Sequence, residues 1–274
     1  MTLRNRIRAV VIVAASWAVA EATPWVAGVP LVAQDSATRA GQVLDQARQA
    51  LGGDALTNVR VLRAQGDYRR AMGDRLVAGK LELLLDRAGR LRRDEELGRA
   101  PGPVAVRVEV LDGDAIWDDM TMRGAMNHGM PGPGAAAPLR PSDDQLRRSR
   151  RDELARHQLA WLLDTTGVVS HVGVAEAPDG RADVLEIAAN DRTPLRLFVD
   201  QRTHLPLMLT WGSEGVSQVE RPAAVSLYLS DYRRVHGVML PHTMRRAIDA
   251  RALDEWTITA YEVNPSVSAA RFRK

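Results

Sequence analysis

Methionine side chains are concentrated, together with one histidine, in one stretch of this 274-residue chain. Segment 118–141 is rich in Gly, Ala, Pro and Met and has no hydrophobic period, which predicts a long mobile loop. Methionine sulfur and histidine nitrogen are ligands suited to Cu(I), although methionine also serves as adaptable packing. The residues of this candidate metal site are Met120, Met122, Met126, His128 and Met130.

Other reactive residue types do not fall into a catalytic pattern. The six histidines are spread over separate predicted elements, and the sequence has no G-x-S-x-G, H-E-x-x-H or P-loop motif. The acidic run 94–96 lies in a charged strand and is interpreted as a solvent face or as a partner of neighbouring arginines. There is no cysteine, which excludes disulfides and thiolate chemistry. The prediction is a protein without enzymatic activity and without a cofactor.

Composition sets the broad class. Hydrophobic residues make up 45% of the chain, enough for a sizeable core. Lysine and arginine together number 37 against 34 acids, and the arginines are scattered along the sequence. Scattered charge is typical of solvated strand faces, whereas a nucleic-acid site would cluster on one element. No nucleic-acid partner is therefore expected.

The amino terminus has the layout of a secretory signal peptide. Three arginines among the first eight residues precede the apolar run 9–20, and Ala20-Glu21-Ala22 is a small-x-small cleavage pattern. A second candidate processing point lies near Ala33-Gln34. The alternative is an uncleaved anchor, but the first apolar run is shorter than the ~20 residues that span a bilayer. We interpret 1–34 as signal peptide and short leader, with no stable membrane span after cleavage and a periplasmic or otherwise exported location.

Two helices and ten to twelve strands are predicted for the remainder. Residues 35–51 carry an apolar stripe at helical spacing and end at Gly52-Gly53. Ser142 and Gln145 form a capping-box pattern that opens a second helix reaching about residue 164. Elsewhere apolar and polar residues alternate between short turns, as in antiparallel strands. A parallel doubly wound fold would need more crossover helices. We predict one mainly β (α+β) domain, 35–274, with a sheet curved around the helices.

The apolar face of such a sheet is the candidate binding surface. Two helices need not cover all of it, and an uncovered concave apolar area is a ligand site or an interface. The same side chains form an ordinary core if the helices pack tightly. The predicted lining consists of Leu195, Leu197, Leu207, Leu209, Trp211, Leu227, Leu229, Trp256 and Ile258 from strands, with Trp161 and Leu162 from the helix.

A set of residues in the last eighty or so positions forms a recognisable pattern of turns and strand phases. They are Phe198-Val199-Asp200, Thr203, Leu205-Pro206, Asp231-Tyr232-Arg233, Val235, Gly237-Val238, Leu240-Pro241, Asn264 and Phe272. In these residues the chain is similar to the periplasmic lipoprotein-carrier (Lol carrier-like, outer-membrane lipoprotein-sorting) superfamily, and it resembles that family by element order over most of its length. It differs in the Met-rich loop and in having few aromatics on the concave face, as a divergent member would.

The resemblance implies a fold and a class of ligand. The family fold is an incomplete β-barrel, a strongly curved antiparallel sheet lidded by helices and holding acyl chains. The expectation is an exported protein that binds a lipid or an acylated protein in this half-barrel. The alternative is an envelope interaction or sensor module with a self-filled core, with other envelope proteins as partners and a soft metal in the Met-rich loop.

Overall fold

The computed structural model describes residues 31–73, 75–98, 102–124, 142–177, 180–189, 192–213 and 223–273. The helices are α1 (Leu31–Leu51), α2 (Asp54–Thr57) and α3 (Asp143–Leu162). The strands are β1 (Val61–Met72), β2 (Arg75–Asp86), β3 (Arg90–Gly98), β4 (Val104–Asp112), β5 (Ala115–Arg123), β6 (Val168–Ala177), β7 (Gly180–Ala189), β8 (Arg192–Asp200), β9 (Pro206–Ser213), β10 (Ala223–Val235), β11 (Val238–Ile248) and β12 (Arg251–Val263). A short 3-10 helix, Ala269–Phe272, follows the last strand.

All twelve strands form one antiparallel, curved and unclosed sheet, so the predicted fold class is confirmed. Their spatial order is β5-β4-β3-β2-β1-β12-β11-β10-β9-β8-β7-β6. Strands β1 to β5 run outward from the centre to one edge, and β6 to β12 run from the other edge back to the centre. The first and last strands therefore pair in the middle of the sheet, with Leu62 opposite Val263.

This order requires a connection from one edge of the sheet to the other. Helix α3 lies in that connection, between β5 and β6, and it contacts β2 to β5 on one side and β8 and β9 on the other. The capping box at its start is confirmed: the Ser142 hydroxyl accepts from the Gln145 amide, and the Gln145 side chain accepts from the Ser142 amide. Helix α1 packs against β6 and β11. The two helices thus cover the concave side of the sheet.

The interpretation of 118–141 as one loop is wrong at its start. Residues 118–123 continue β5, pairing with β4 from Glu109 opposite Asp118 to Val104 opposite Arg123. Backbone hydrogen bonds to β4 hold this stretch as a strand, although its side chains show no alternation of apolar and polar residues. The rest of the predicted loop, 125–141, lies outside the described residues, as do 1–30 of the predicted signal peptide. Helix α1 begins at Leu31, so the predicted end of the leader at 34 falls inside it.

Helices in the described ranges offer no segment that combines the length and apolar character needed to cross a membrane.

Candidate functional site

Most of the predicted lining lies in the main core of the protein. Eight of the eleven residues are at most 3% exposed, and two more, Leu195 and Trp211, are partly buried against the same core. Trp161 anchors α3 there, because its indole nitrogen lies 3.2 Å from the Met244 sulfur and its ring meets the Tyr261 ring edge-on at 6.0 Å. The concave face is therefore largely filled by the protein's own helices.

Leu207 is the exception among these residues. It is 38% exposed, although the alternation of β9 placed it beside Leu209. Pairing with β8 runs from Phe198 opposite Met208 directly to Val199 opposite Pro206, which leaves Leu207 without a partner. A bulge of this kind changes the direction of a side chain, so Leu207 does not belong to the lining.

Two cavities remain at the edges of the packing beneath α3. The first has a volume of about 270 Å³, and its apolar wall is formed by Leu159, Ile187 and Leu195. The second has a volume of about 170 Å³ and includes Trp211, Leu227 and Trp256 in its wall. Three of the predicted lining residues thus border the second cavity, and Leu195 borders the first.

One side chain of α3 separates the two cavities. Arg156 lines both, and its guanidinium carbon lies 4.7 Å from the centre of the Trp211 ring. Trp211 is in turn the cross-strand partner of Leu195. An apolar floor made of this pair therefore runs from one cavity to the other under a single arginine.

The second cavity is also bordered by a buried ionic network that the sequence did not predict. At its base the Asp254 carboxylate accepts from the Tyr68 hydroxyl at 2.9 Å and from Arg70 Nε at 2.9 Å, and it pairs with Arg246. Burial opposes ionisation of this carboxyl, but Arg246 and Arg70 outweigh it and hold the pKa of Asp254 below its ordinary value. The two arginines therefore keep the Asp254 carboxylate ionised inside the half-barrel.

A second part of the network joins α3 to the sheet. Arg93 on β3 pairs with Glu95 and reaches Glu153 of α3 at 2.6 Å. Arg150 of α3 pairs with Glu109 on β4. Burial and the nearby Glu153 charge raise the pKa of Glu109. For Glu153 burial acts in the same direction, but Arg93 outweighs it and holds the pKa well below the ordinary value. The first half of α3 therefore rests on ion pairs, whereas its second half rests on apolar contacts.

Of the two interpretations of the acidic run 94–96, a partner of neighbouring arginines is confirmed for Glu95, which pairs with Arg93. A solvent face is wrong for Glu95, which is 1% exposed. The two-residue alternation of β3 could have identified the burial of Glu95, since Glu95 and Arg93 lie on the same face of the strand as the buried Leu91. Asp254 similarly shares its face with Trp256 and Ile258, two predicted lining residues. A charged residue on an otherwise apolar face was the signal for this network.

The predicted metal site is only partly described. Met120 and Met122 are exposed on β5, at the edge of the sheet. Met126, His128 and Met130 lie outside the described residues. Among the residues that are described, no three His, Asp or Glu side chains converge as metal ligands.

Three histidines have side-chain partners in the described chain, and one of them is His157, whose Nε2 lies 3.8 Å from Glu153 of α3. His242 Nδ1 on β11 lies 2.8 Å from the Ile258 carbonyl oxygen on the neighbouring strand β12. His171 Nε2 lies 2.9 Å from Asp183, which also accepts from Arg39 of α1. The contacts of His242 and His171 hold strands and helix together.

No family model matches this chain, and no curated protein matches it. Solved structures that are similar to it, with low sequence identity, include the following three. A DUF1329 family protein from Desulfovibrio piger is 12% identical, with a TM-score of 0.48, over 85% of this chain and 97% of that one. A LolA superfamily protein from Nitrosomonas europaea is 12% identical, with a TM-score of 0.48, over 86% and 97%. A putative outer membrane lipoprotein-sorting protein domain from Vibrio parahaemolyticus is 8% identical, with a TM-score of 0.46, over 86% and 97%.

Proposed function

We propose that this chain is an exported, non-enzymatic protein that binds a lipid, or the acyl chain of a lipoprotein, beneath α3. The observation that carries the proposal is the apolar floor of Leu195 and Trp211, which continues the core into two adjoining cavities. An acyl chain needs an apolar surface to pack on, and this floor with Leu159 and Ile187 supplies one.

The volumes of the cavities suit a ligand bound at the edge of the core. Small-molecule pockets have volumes of roughly 300–1,000 Å³. The first cavity, at about 270 Å³, is close to that range by itself. Rotation of Arg156 away from Trp211 would join it to the second cavity, and a long flexible side chain can do this at small cost. The ligand would therefore lie under the middle of α3, and the deep core would stay packed.

The test is uptake of an acyl probe by delipidated protein. Native mass spectrometry before and after lipid extraction would detect a bound lipid, and titration with the fluorescent fatty acid cis-parinaric acid would measure binding. Leu195→Trp should fill the first cavity and weaken binding at least tenfold. Leu207→Trp is the matched control, because Leu207 lies on the neighbouring strand but outside the lining. It should bind the probe like the parent.

The second candidate function is an envelope interaction or sensor module with a self-filled core. The observation in its favour is the burial of eight predicted lining residues against the protein's own helices. Protein that carries no lipid and takes up no probe would support this candidate and overturn the first. Equal loss of probe binding in Leu195→Trp and Leu207→Trp would also contradict the first candidate, because it would place the probe elsewhere.

Export is tested separately, by the mass of the mature protein in a periplasmic extract. Cleavage after Ala22 would leave α1 whole, since the helix begins at Leu31. Processing near Ala33 would remove the start of that helix. A chain that keeps its amino terminus and stays with the membrane fraction would contradict the signal-peptide interpretation.

A further inference from the structure

The second cavity has an excess of positive charge. Six arginines line it, and five of them pair with carboxylates. The arginines are Arg70, Arg93, Arg107, Arg150 and Arg246, and their five partners are Glu95, Glu109, Asp118, Glu153 and Asp254. The sixth is Arg156, which takes part in none of the ion pairs found among the described residues. The carboxylates that act on its charge are Glu153 and Asp152 of the same helix.

The same cavity has more hydrogen-bond donors than acceptors. The buried Trp256 Nε1 has no partner, and an indole nitrogen can only donate. The Nε atoms of Arg93, Arg150 and Arg246 are also buried without a partner, and these too can only donate. All four residues line this cavity. Donors that the protein leaves unused at one place suit a ligand rich in acceptors.

The position of Arg156 relates this donor-rich cavity to the first cavity, which has an apolar wall of Leu159, Ile187 and Leu195. Its guanidinium packs on Trp211, in the wall between the cavities. Burial of this group lowers the pKa of Arg156, since Glu153 and Asp152 offset the loss of solvation only in part. An anion placed beside it would restore the missing charge balance. A molecule that is anionic at one end and apolar at the other would satisfy both cavities.

We propose that the second cavity receives the oxyanion head group, carboxylate or phosphate, of an amphipathic ligand, and that Arg156 is the residue that pairs with it. The acyl chain of the bound ligand then extends along the Leu195 and Trp211 floor into the first cavity. This inference rests on the proposed function and narrows it, from any lipid to one whose head group carries a negative charge next to the chain.

Isothermal titration of the delipidated full-length mature protein with three probes tests the inference. Palmitate has both the charge and the chain, methyl palmitate has the chain alone, and inorganic phosphate has the charge alone. We expect palmitate to bind at least tenfold more tightly than methyl palmitate. Arg156→Gln should remove that difference by weakening palmitate alone, and Arg156→Lys should restore part of it. Arg148→Gln is the control, because Arg148 is an exposed arginine of the same helix.

The outcomes separate this inference from the function on which it rests. Equal affinities of the parent for palmitate and its ester overturn the head-group site while leaving acyl binding intact. Equal weakening of both probes by Arg156→Gln also overturns it, because the arginine would then act on the chain. If neither amphiphile binds, acyl binding fails; Arg156-dependent phosphate binding would then support a site for free oxyanions, and its absence would overturn the site. Thermal melting of each variant checks that it is folded.

Discussion

Replacing Asp254 by asparagine should destabilise the protein more than any surface substitution. The Asp254 carboxylate is fully buried and has three partners: the Tyr68 hydroxyl, Arg70 and Arg246. Asparagine keeps the shape of the side chain but removes its charge. Two arginines would then be left without their shared counter-ion, inside the half-barrel and close to Trp256.

The expected loss follows from the burial of the partners. Removing one member of a buried ion pair costs about 3–5 kcal/mol, because the remaining charge is uncompensated. The side chains of Arg70 and Arg246 keep 21% and 27% of their exposure, so solvent recovers part of that cost. We therefore expect the free energy of unfolding to fall by about 3 kcal/mol, at the lower end of the range. For a domain of this size the midpoint of thermal unfolding should fall by about 6–12 °C.

The effect should depend on pH in one direction. The pKa of Asp254 is lower in the folded protein than its ordinary value of 3.8, so its stabilising contribution is fully present above that pH. It is lost as the pH falls through the folded-state pKa, because protonation removes the charge. The difference in stability between parent and variant should be constant near neutral pH and should shrink below 3.8.

Urea denaturation followed by tryptophan fluorescence measures these differences. The matched control is Asp45→Asn, which removes an exposed ion pair with Arg48 on α1. Pairs of that kind contribute about 0–1 kcal/mol. A loss below about 1 kcal/mol for Asp254→Asn, or an equal loss for both variants, would refute the view that a buried charge network stabilises the concave side. A difference that grows at acid pH would refute the linkage to Asp254.

Three further substitutions test the packing, each by urea denaturation. Trp161→Ala should cost about 3–5 kcal/mol, because it empties a fully buried site, whereas the exposed Leu207→Ala should cost less than about 1 kcal/mol; similar losses would show that α3 is not anchored at Trp161. Gly79→Ala should destabilise by at least about 1–3 kcal/mol, because its Cβ would lie 1.6 Å from the Glu96 carbonyl oxygen; an unchanged midpoint would contradict the close approach of β2 and β3. Gly41→Ala should stabilise α1 by about 0.5–1 kcal/mol, since no atom lies within 4 Å of the new methyl group; a loss of stability would show that this face of α1 is covered.

The helices and strands could be predicted from the sequence because hydrophobic alternation and turn residues depend only on nearby positions in the chain. The capping box at Ser142 and the alternation around Leu227 and Leu229 each predicted the structure that is found. The bulge at Leu207 could not be predicted in the same way. It depends on how β9 aligns with β8, and a register is a property of two strands.

The candidate site was predicted in its apolar half only. The alternation identified the floor, including Leu195 and Trp211, because apolar residues at period two need no knowledge of their partners. The burial of the ionic half was missed, although pairing with arginines was one interpretation of the acidic run 94–96, because a charge such as Glu95 is taken as exposed unless its counter-ions are known. Its partners Arg93 and Arg70 come from two strands, and α3 covers them from the connection between the two edges of the sheet.

The pairing of β1 with β12 also has a consequence for how the chain folds. All other adjacent strands in the sheet are also consecutive along the chain. The β1–β12 pair, here called the central seam, joins residues such as Arg63 and Glu262, which are 199 positions apart. Closing so long a loop costs entropy, so we expect the two halves of the sheet to form first and the seam to set the folding rate.

Circular permutation would remove that barrier. Joining the two ends of the described chain and opening it between β5 and α3 would make β1 the next strand after β12, with the 3-10 helix, α1 and α2 between them. The order of strands along the chain would then match their order in space. Helix α3 would become an amino-terminal segment held by one covalent connection in place of two. Such a permutant would separate the two roles of the helix, since it could still cover the half-barrel but would no longer link its edges.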